Sequence, residues 1–261
     1  MQEVRPSFDD ADAYERYMGQ WSRAVGEKFL AWLEPPQHAR WLDLGCGSGA
    51  FGELITGRCA PSALSGIDPS AAQIEFARRK LPRADLRVGD SMAMPFGDGE
   101  FDIVASALVL HFIPDRARAF SEMKRVVRRG GLVAGYTWER SPDFDGAPYA
   151  PLLKGMLGIG VAPTRSPTVP EAQLDGLRAT AVAAGLLQIA LTRIEASYRF
   201  RDFDDYWETQ TLQVSPVGRT AAALAEEQRE RLRNALRTTL PIAADGSISY
   251  PARAVAFKAL T

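Results

Sequence analysis

The 261-residue chain contains only two cysteines, Cys46 and Cys59, and only two histidines, His38 and His111. Two thiols cannot build a disulfide framework or a thiolate metal cluster, so a reducing, cytoplasmic setting is expected. A zinc site would need carboxylates for most of its ligands, no His-Glu-x-x-His spacing occurs, and no metal is expected. Long apolar runs are missing as well. The longest, Ile103 to Ile113, is interrupted by Ser106 and His111 and falls short of the roughly 20 apolar residues that cross a bilayer, so no membrane partner is expected. The opening MQEVRPSFDDADAYERYMGQ is polar and acidic and does not read as a secretory signal. Charge of one sign is not in excess: 31 Lys plus Arg against 32 Asp plus Glu leave a net charge of −1. That balance exerts no overall pull on a phosphate backbone, and nucleic acid is not an expected partner.

What is present is ordinary for a globular protein, with 46% hydrophobic and 24% charged residues. Punctuation and periodicity give the organisation. Ser22 to Glu34 sets Val25, Phe29, Trp32 and Leu33 on one helical face before Pro35-Pro36 stops the helix. A strand over Arg40 to Leu44 runs into Gly45, Gly47 and Gly49 and a helix over Ala50 to Arg58. Ala63 to Ile67 reads as a strand ending at Asp68, with Ser70 as N-cap of the next helix. Further strands fit Asp85 to Val88, Phe101 to Ala107 and Leu132 to Trp138, and a helix over Asp115 to Arg128 is expected to stop at Gly130-Gly131. Alternating strands and helices predict an α/β fold with a mostly parallel sheet. After Trp138 the rhythm breaks into a Pro- and Gly-rich stretch from Ser141 to Pro170 with a short helix around Leu152 to Leu157. The remainder reads as a helix over Glu171 to Ala184, a strand over Leu187 to Phe200, a helix over Ala221 to Thr239 and a final antiparallel edge strand over Ser247 to Leu260.

The chemistry concentrates in Trp41-Leu-Asp43-Leu-Gly45-Cys46-Gly47-Ser-Gly49 between a strand and a helix. Glycines there let the backbone turn sharply and let a ligand approach main-chain N–H groups at a helix N-terminus. Gly47-Ser-Gly49-Ala-Phe-Gly52 also satisfies the G-x-G-x-x-G spacing of dinucleotide-binding folds, with Asp68 at the distance of a ribose-binding acid. The loop alone therefore leaves two cofactors open.

Four ordered motifs at strand ends follow: D-L-G-C-G-S-G, G-I-D-P-S, G-D-S-M-A-M-P-F and F-D-I-V-A-S-A-L-V-L-H-F, with G-G-L-V-A behind them. Over Arg40 to Trp138 the sequence resembles the class I S-adenosylmethionine (SAM) dependent methyltransferases, in their UbiE-like small-molecule branch. The resemblance implies a Rossmann-like, doubly wound sheet of seven strands in order 3-2-1-4-5-7-6, the last antiparallel, with a helical cap. It implies one methyltransferase domain over 1–261: an N-terminal cap segment over 1–35, a SAM-binding core over 36–138, and cap insertion with sheet completion over 139–261. SAM would be the cofactor and S-adenosylhomocysteine (SAH) its product.

By the same resemblance Asp43, Gly45, Cys46 and Gly47 would cradle the methionine portion of SAM. Asp68, followed by Pro69, would accept from both ribose hydroxyls, and Asp90, Ser91 and Met92 would hold the adenine. Gln73 stands where relatives place an apolar side chain against adenine, and Ser106 closes the set at the end of the fourth strand. Tyr14 and Tyr17 belong to a Y-x-x-Y-M-x-x-W-S segment that would cover the cofactor, where an aromatic face suits a sulfonium. Each residue has a plainer competing role. Asp68 could cap a helix, Asp90 could form a turn, Met92 could fill the core, and Trp21 reads best as packing. The basic runs at Arg78 to Lys80, Arg125 to Arg129 and Arg229 to Arg233 read as solvated faces.

His111 lies just past the fourth strand, at the edge where open α/β sheets bind ligands. It could act as general base in an in-line displacement at the methyl, or merely pack beside the cofactor. The acceptor pocket is expected between His111, Trp138, the Ser141 to Pro170 stretch and Phe203-Asp-Asp-Tyr206-Trp207. Its aromatic walls favour an apolar or aromatic small molecule, with Arg165, Arg199 and Arg201 as the cations that could turn inward. An NAD(P)-dependent oxidoreductase and a non-catalytic nucleotide-binding module are the alternatives. Ser106-Ala-Leu-Val109 lacks the N/D-P-P-Y/F run of adenine amino methylation, and no Pro-Cys pair serves cytosine C5 chemistry.

Overall fold

The computed structural model describes residues 11–141, 144–164 and 168–261. Arg165 lies outside these, as does the side chain of Tyr14. The first elements are α1 (Ala11–Tyr14), a π-helical turn (Glu15–Gly19) and α2 (Gln20–Leu33). Helix α2 buries Trp21, Val25, Phe29 and Leu33 and ends at Glu34, whose left-handed backbone returns its N–H to the Leu30 carbonyl before Pro35-Pro36. Next come β1 (Arg40–Leu44), α3 (Ala50–Cys59), β2 (Ala63–Asp68), α4 (Ala71–Lys80), β3 (Asp85–Val88) and β4 (Phe101–Ala107). A 3-10 turn (Leu110–Phe112) leads to α5 (Arg116–Val126) and β5 (Val127–Trp138).

Beyond β5 lie the short hairpin β6 (Arg140–Ser141) and β7 (Phe144–Asp145), α6 (Ala150–Gly158), a 3-10 turn (Pro170–Ala172) and α7 (Leu174–Ala183). The chain finishes with β8 (Leu187–Phe200), α8 (Phe203–Gln210), α9 (Pro216–Ala222), α10 (Glu226–Thr239) and β9 (Ile248–Leu260). Seven strands form one sheet in the order β3-β2-β1-β4-β5-β9-β8. The first five are mutually parallel, and β9 runs antiparallel to both β5 and β8. This is the expected seven-stranded order, counting only strands of the large sheet. The last strand is not an edge, however. It is inserted between β5 and β8, where Ala254, Val255, Ala256 and Phe257 are wholly buried.

Both faces of the sheet are covered, so β1 and β4 are buried almost throughout rather than alternating. Strand side chains still alternate between two cores. Trp41 joins Trp21, Phe29 and Ile55 under α2 and α3, while Leu42 and Leu44 join Phe120, Met123 and Leu177 under α5 and α7. Asp43 therefore points to the α2 and α3 side, among apolar neighbours.

Some expected boundaries move. Helix α5 ends at Val126, short of Gly130-Gly131, and β5 begins at once; Gly131 is needed because a Cβ there would meet the Asp102 carbonyl at 2.7 Å. The expected Ala221 to Thr239 helix is two helices, α9 and α10. Residues Phe203 to Trp207 open α8, which is capped by Asp202, whose carboxylate accepts from the Asp205 N–H at 2.8 Å.

Candidate active site

The carboxyl ends of β1, β2, β3 and β4 meet at one edge, and the sequence motifs sit there. From β1 the chain turns through Gly45, Gly47 and Gly49, all with left-handed backbones. Gly45 has a second constraint: a Cβ would stand 2.5 Å from the Val109 side chain. The Gly45 and Cys46 N–H groups both donate to the Ile67 carbonyl, tying the loop to β2. Above Gly47 there is room, since among the described residues a Cβ would meet only the Gln73 side-chain oxygen at 4.0 Å. Cys46 is buried, its sulfur against Gly66, and burial pushes its thiol well up; it shapes the loop and is no nucleophile.

Asp43 is 1% exposed, and among the described residues neither carboxylate oxygen has a partner at hydrogen-bonding geometry. Burial pushes its pKa up to about 8, the nearby Asp68 charge adds to the rise, and the Gly52 amide pulls back only weakly. Asp68, half-buried at the end of β2, accepts from the Gly47 N–H at 3.0 Å and the Ser70 N–H at 2.9 Å. Its pKa is also raised by burial, against those two bonds. Helix capping falls to Ser70, which accepts from the Gln73 N–H. Asp68 thus braces the loop while keeping acceptor capacity, because an ionised carboxylate offers about four lone-pair directions. Gln73 is buried beside Gly47, and Pro69 is exposed at the rim.

One strand further out, the Gly89 N–H donates to the Asp68 carbonyl and brings the Asp90 turn alongside. Asp90 is exposed and accepts from the Met92 N–H at 2.8 Å, which is the turn-forming role. Ser91 and Met92 are half-buried, and Arg118 of α5 holds the Met92 carbonyl at 2.7 Å. On the other side, Ser106 is fully buried beside Leu44 and Gly135, and its hydroxyl has no partner among the described residues.

His111, on the 3-10 turn after β4, edges a separate cavity. Its Nδ1 lies 3.0 Å from the Thr137 hydroxyl, and its ring packs on Phe112 at 3.9 Å. Surrounding protein and the Arg140 cation pull its pKa down to about 3 although part of the ring still faces the opening, so the imidazole is neutral at neutral pH. Tyr17, Met18, Trp138, Tyr149, Val169 and Val214 form apolar walls of this cavity of about 680 Å³, its mouth included. The expected His111, Trp138 and Ser141 to Pro170 lining is present. The stretch Phe203 to Trp207 is not part of it; Tyr206 and Trp207 pack α8 onto the core. Arg199 and Arg201 point to solvent, paired with Asp245 and Asp205.

Two residues escaped the sequence reading. Glu15, in the π-helical turn, accepts from the Ser48 hydroxyl at 2.6 Å and pairs with Arg23 and Lys80. Lys80 is therefore not a solvated charge. Glu15 ties the segment bearing Tyr17 and Met18 to the glycine loop, and its signal was its place as the one carboxylate between Tyr14 and Tyr17. Arg140, 5% exposed, lines the cavity two residues past Trp138 and pairs with Asp145 at 3.5 Å. Its signal was its position at the carboxyl edge of the sheet.

Residues 42–135 match a family described as "Methyltransferase domain". The chain is 36% identical over 121 residues to a malonyl-[acyl-carrier protein] O-methyltransferase of Methylococcus capsulatus, covering 44% of each chain. It is 36% identical over 108 residues to a demethylmenaquinone methyltransferase of Roseiflexus castenholzii, covering 40% of this chain and 45% of the relative. The match thus spans less than half of these curated relatives. Among solved structures, a phosphoethanolamine N-methyltransferase 2 of Haemonchus contortus, in complex with phosphomonomethylethanolamine and SAH, superposes with a TM-score of 0.60 at 17% identity. It covers 99% of this chain and 59% of its own, and it shows the shared fold. Residues 42–135 of this chain thus match a methyltransferase domain, and the seven-stranded sheet around them has the fold of a solved methyltransferase.

Proposed function

We propose that the chain transfers a methyl group from SAM to a small-molecule acceptor, leaving SAH. The observation that carries this reading is Asp43. A buried carboxylate without a partner is costly, and it becomes favourable when a cation arrives beside it. The amino-acid portion of SAM brings an ammonium, and the open space over Gly47 leaves the loop N–H groups approachable. In this reading Asp43, Gly45, Cys46 and Gly47 hold that portion. Asp68 with Pro69 takes the ribose, and Gln73, Asp90, Ser91 and Met92 surround the adenine. Tyr14 and Tyr17 cover the donor, and Ser106 offers its buried hydroxyl from below.

When bound, SAM supplies a methyl on a sulfonium, which an aligned nucleophile takes by in-line displacement. The protein's work is alignment and exclusion of water. Tyr17 and Met18, held down through Glu15, roof the cavity, while the neutral His111 presents a hydrogen-bonding edge fixed by Thr137. With so low a pKa it is a weak proton acceptor, which favours positioning over base catalysis. The acceptor is apolar or aromatic in its body, as the walls require. Nucleic acid is not the acceptor in this reading, and the site of action is cytoplasmic. Among the described residues no helix is long and apolar enough to cross a membrane.

The test is calorimetric titration with SAM, SAH and NAD, followed by SAH formation in the presence of pooled small metabolites. Heat with SAM and SAH but not NAD, and acceptor-dependent SAH release, is the expected outcome. NAD binding without SAH binding would reject the reading.

A further inference from the structure

We propose that the acceptor taken by the cavity under Tyr17 and Met18 carries a carboxylate, which Arg140 engages, and that this carboxylate receives the methyl group; the proposal rests on the methyl-transfer reading above. The cavity is apolar on most sides, and Arg140 is a nearly fully buried cation in its wall. A guanidinium has five N–H donors, and beside its ion pair with Asp145 it can also meet an anion in the adjoining space, where screening is weak. Arg140 and His111 line the same cavity, and the Arg140 charge helps to lower the His111 pKa. Asp145 stands behind Arg140 at 3.5 Å and holds it in place from the β6–β7 hairpin.

The chemistry of the remaining lining agrees. An alcohol, phenol or amine acceptor must shed a proton, and an imidazole with a pKa of about 3 takes one up poorly. An ammonium would also be repelled by Arg140. A carboxylate arrives without its proton at neutral pH, given its ordinary pKa of about 4. Its oxygen lone pair forms the new O–CH3 bond, and the electrons of the broken S–CH3 bond stay on sulfur. The acceptor's negative charge and the sulfonium's positive charge disappear together, giving a methyl ester and a thioether with no proton moved.

The experiment uses the full chain saturated with SAH and titrates in phenylacetate and octanoate against phenylacetamide and octanamide. Each carboxylate should bind at least about tenfold more tightly than its amide. In Arg140→Gln that ratio should fall to near one while SAH affinity is unchanged. Because Arg140→Gln removes the cation paired with Asp145, Arg140→Gln with Asp145→Asn removes both charges and should give the same loss. Equal or tighter amide binding, no carboxylate binding at millimolar concentration, or an unchanged ratio in these variants overturns the proposal. The ratio in the unaltered chain decides even where a variant fails to fold. Absence of SAH binding would instead sink the methyl-transfer reading itself, so the two failures are distinguishable. With radiolabelled SAM, product label released as methanol by mild base is expected, and base-stable label contradicts it.

Discussion

Asp43 shows how a single residue can be costly to the fold and useful to the site. Its folded pKa of about 8 lies far above that of an unfolded aspartate, so the unliganded fold is favoured at low pH. That contribution is lost as pH rises from the unfolded value through about 8. Asp43→Asn should therefore raise the thermal midpoint of the ligand-free protein at alkaline pH, by about 2–4 °C for each kcal/mol gained. The same variant should lose SAM binding. A midpoint that falls at pH 9 would contradict the burial argument. Binding of SAM to the unaltered chain near pH 7 should release a proton, measured as a buffer-dependent calorimetric enthalpy, because a cation beside Asp43 stabilises its ionised form. His111 carries the opposite sign. Its lowered pKa means stability present above the ordinary histidine value and lost as pH falls from there toward about 3. The pH–rate profile should accordingly show no limb near 6.5 that His111→Asn removes.

Among the elements, the N-terminal segment and the glycine loop are joined through few contacts. Burial pulls the Glu15 carboxyl upward, but the Ser48 and Arg23 hydrogen bonds and the Lys80 charge hold it below its usual value. Glu15→Gln keeps the shape and removes one of the two carboxylates, Glu15 and Glu53, that Arg23 and Lys80 share. SAH dissociation should quicken by about tenfold, for roughly 1.5 kcal/mol lost in a charge-assisted bond, with faster amide exchange in Glu15–Gly19. Unchanged dissociation would show that the segment is held by Tyr17, Met18 and Trp21 packing alone. Within the loop itself, Gly45→Ala should unfold or severely destabilise the protein, because both the left-handed backbone and the Val109 contact oppose a Cβ. Thermal unfolding of that variant measures it.

The nucleotide half was legible in the sequence because each element there announces itself twice. Gly45 to Gly49 both end β1 and start α3, and Ser70 both follows β2 and caps α4. The second half was harder. Ser215, which caps α9 and precedes Pro216, is a plain helix start that the surrounding polar stretch concealed. Phe203, Tyr206 and Trp207 read as pocket walls but lie on the buried face of α8, where aromatics serve packing as readily as binding. Gly130-Gly131 read as a helix stop because glycine permits several conformations; only the neighbouring Asp102 carbonyl reveals that Gly131 belongs in a strand. At the site, Asp43 and Asp68 come together as the motifs implied. Glu15 and Arg140 stayed hidden, because their partners Ser48 and Asp145 are fixed by tertiary folding rather than by spacing.

For the molecule as a whole, the account rests on the joined ends of β1 and β2 forming a SAM site, so the direct measurement is SAH affinity by calorimetry for the unaltered chain, Asp68→Ala and Asp90→Ala. In the proposed reading Asp68 would hold two ribose hydroxyls beyond its bonds to Gly47 and Ser70, whereas Asp90 is exposed and already serves its own turn. Asp68→Ala should weaken SAH by at least about a hundredfold, for two charge-assisted bonds worth roughly 1.5 kcal/mol or more each, and Asp90→Ala should cost about tenfold or less. Equal SAH affinity for the unaltered chain and Asp68→Ala, or no SAH binding at all, would contradict the account.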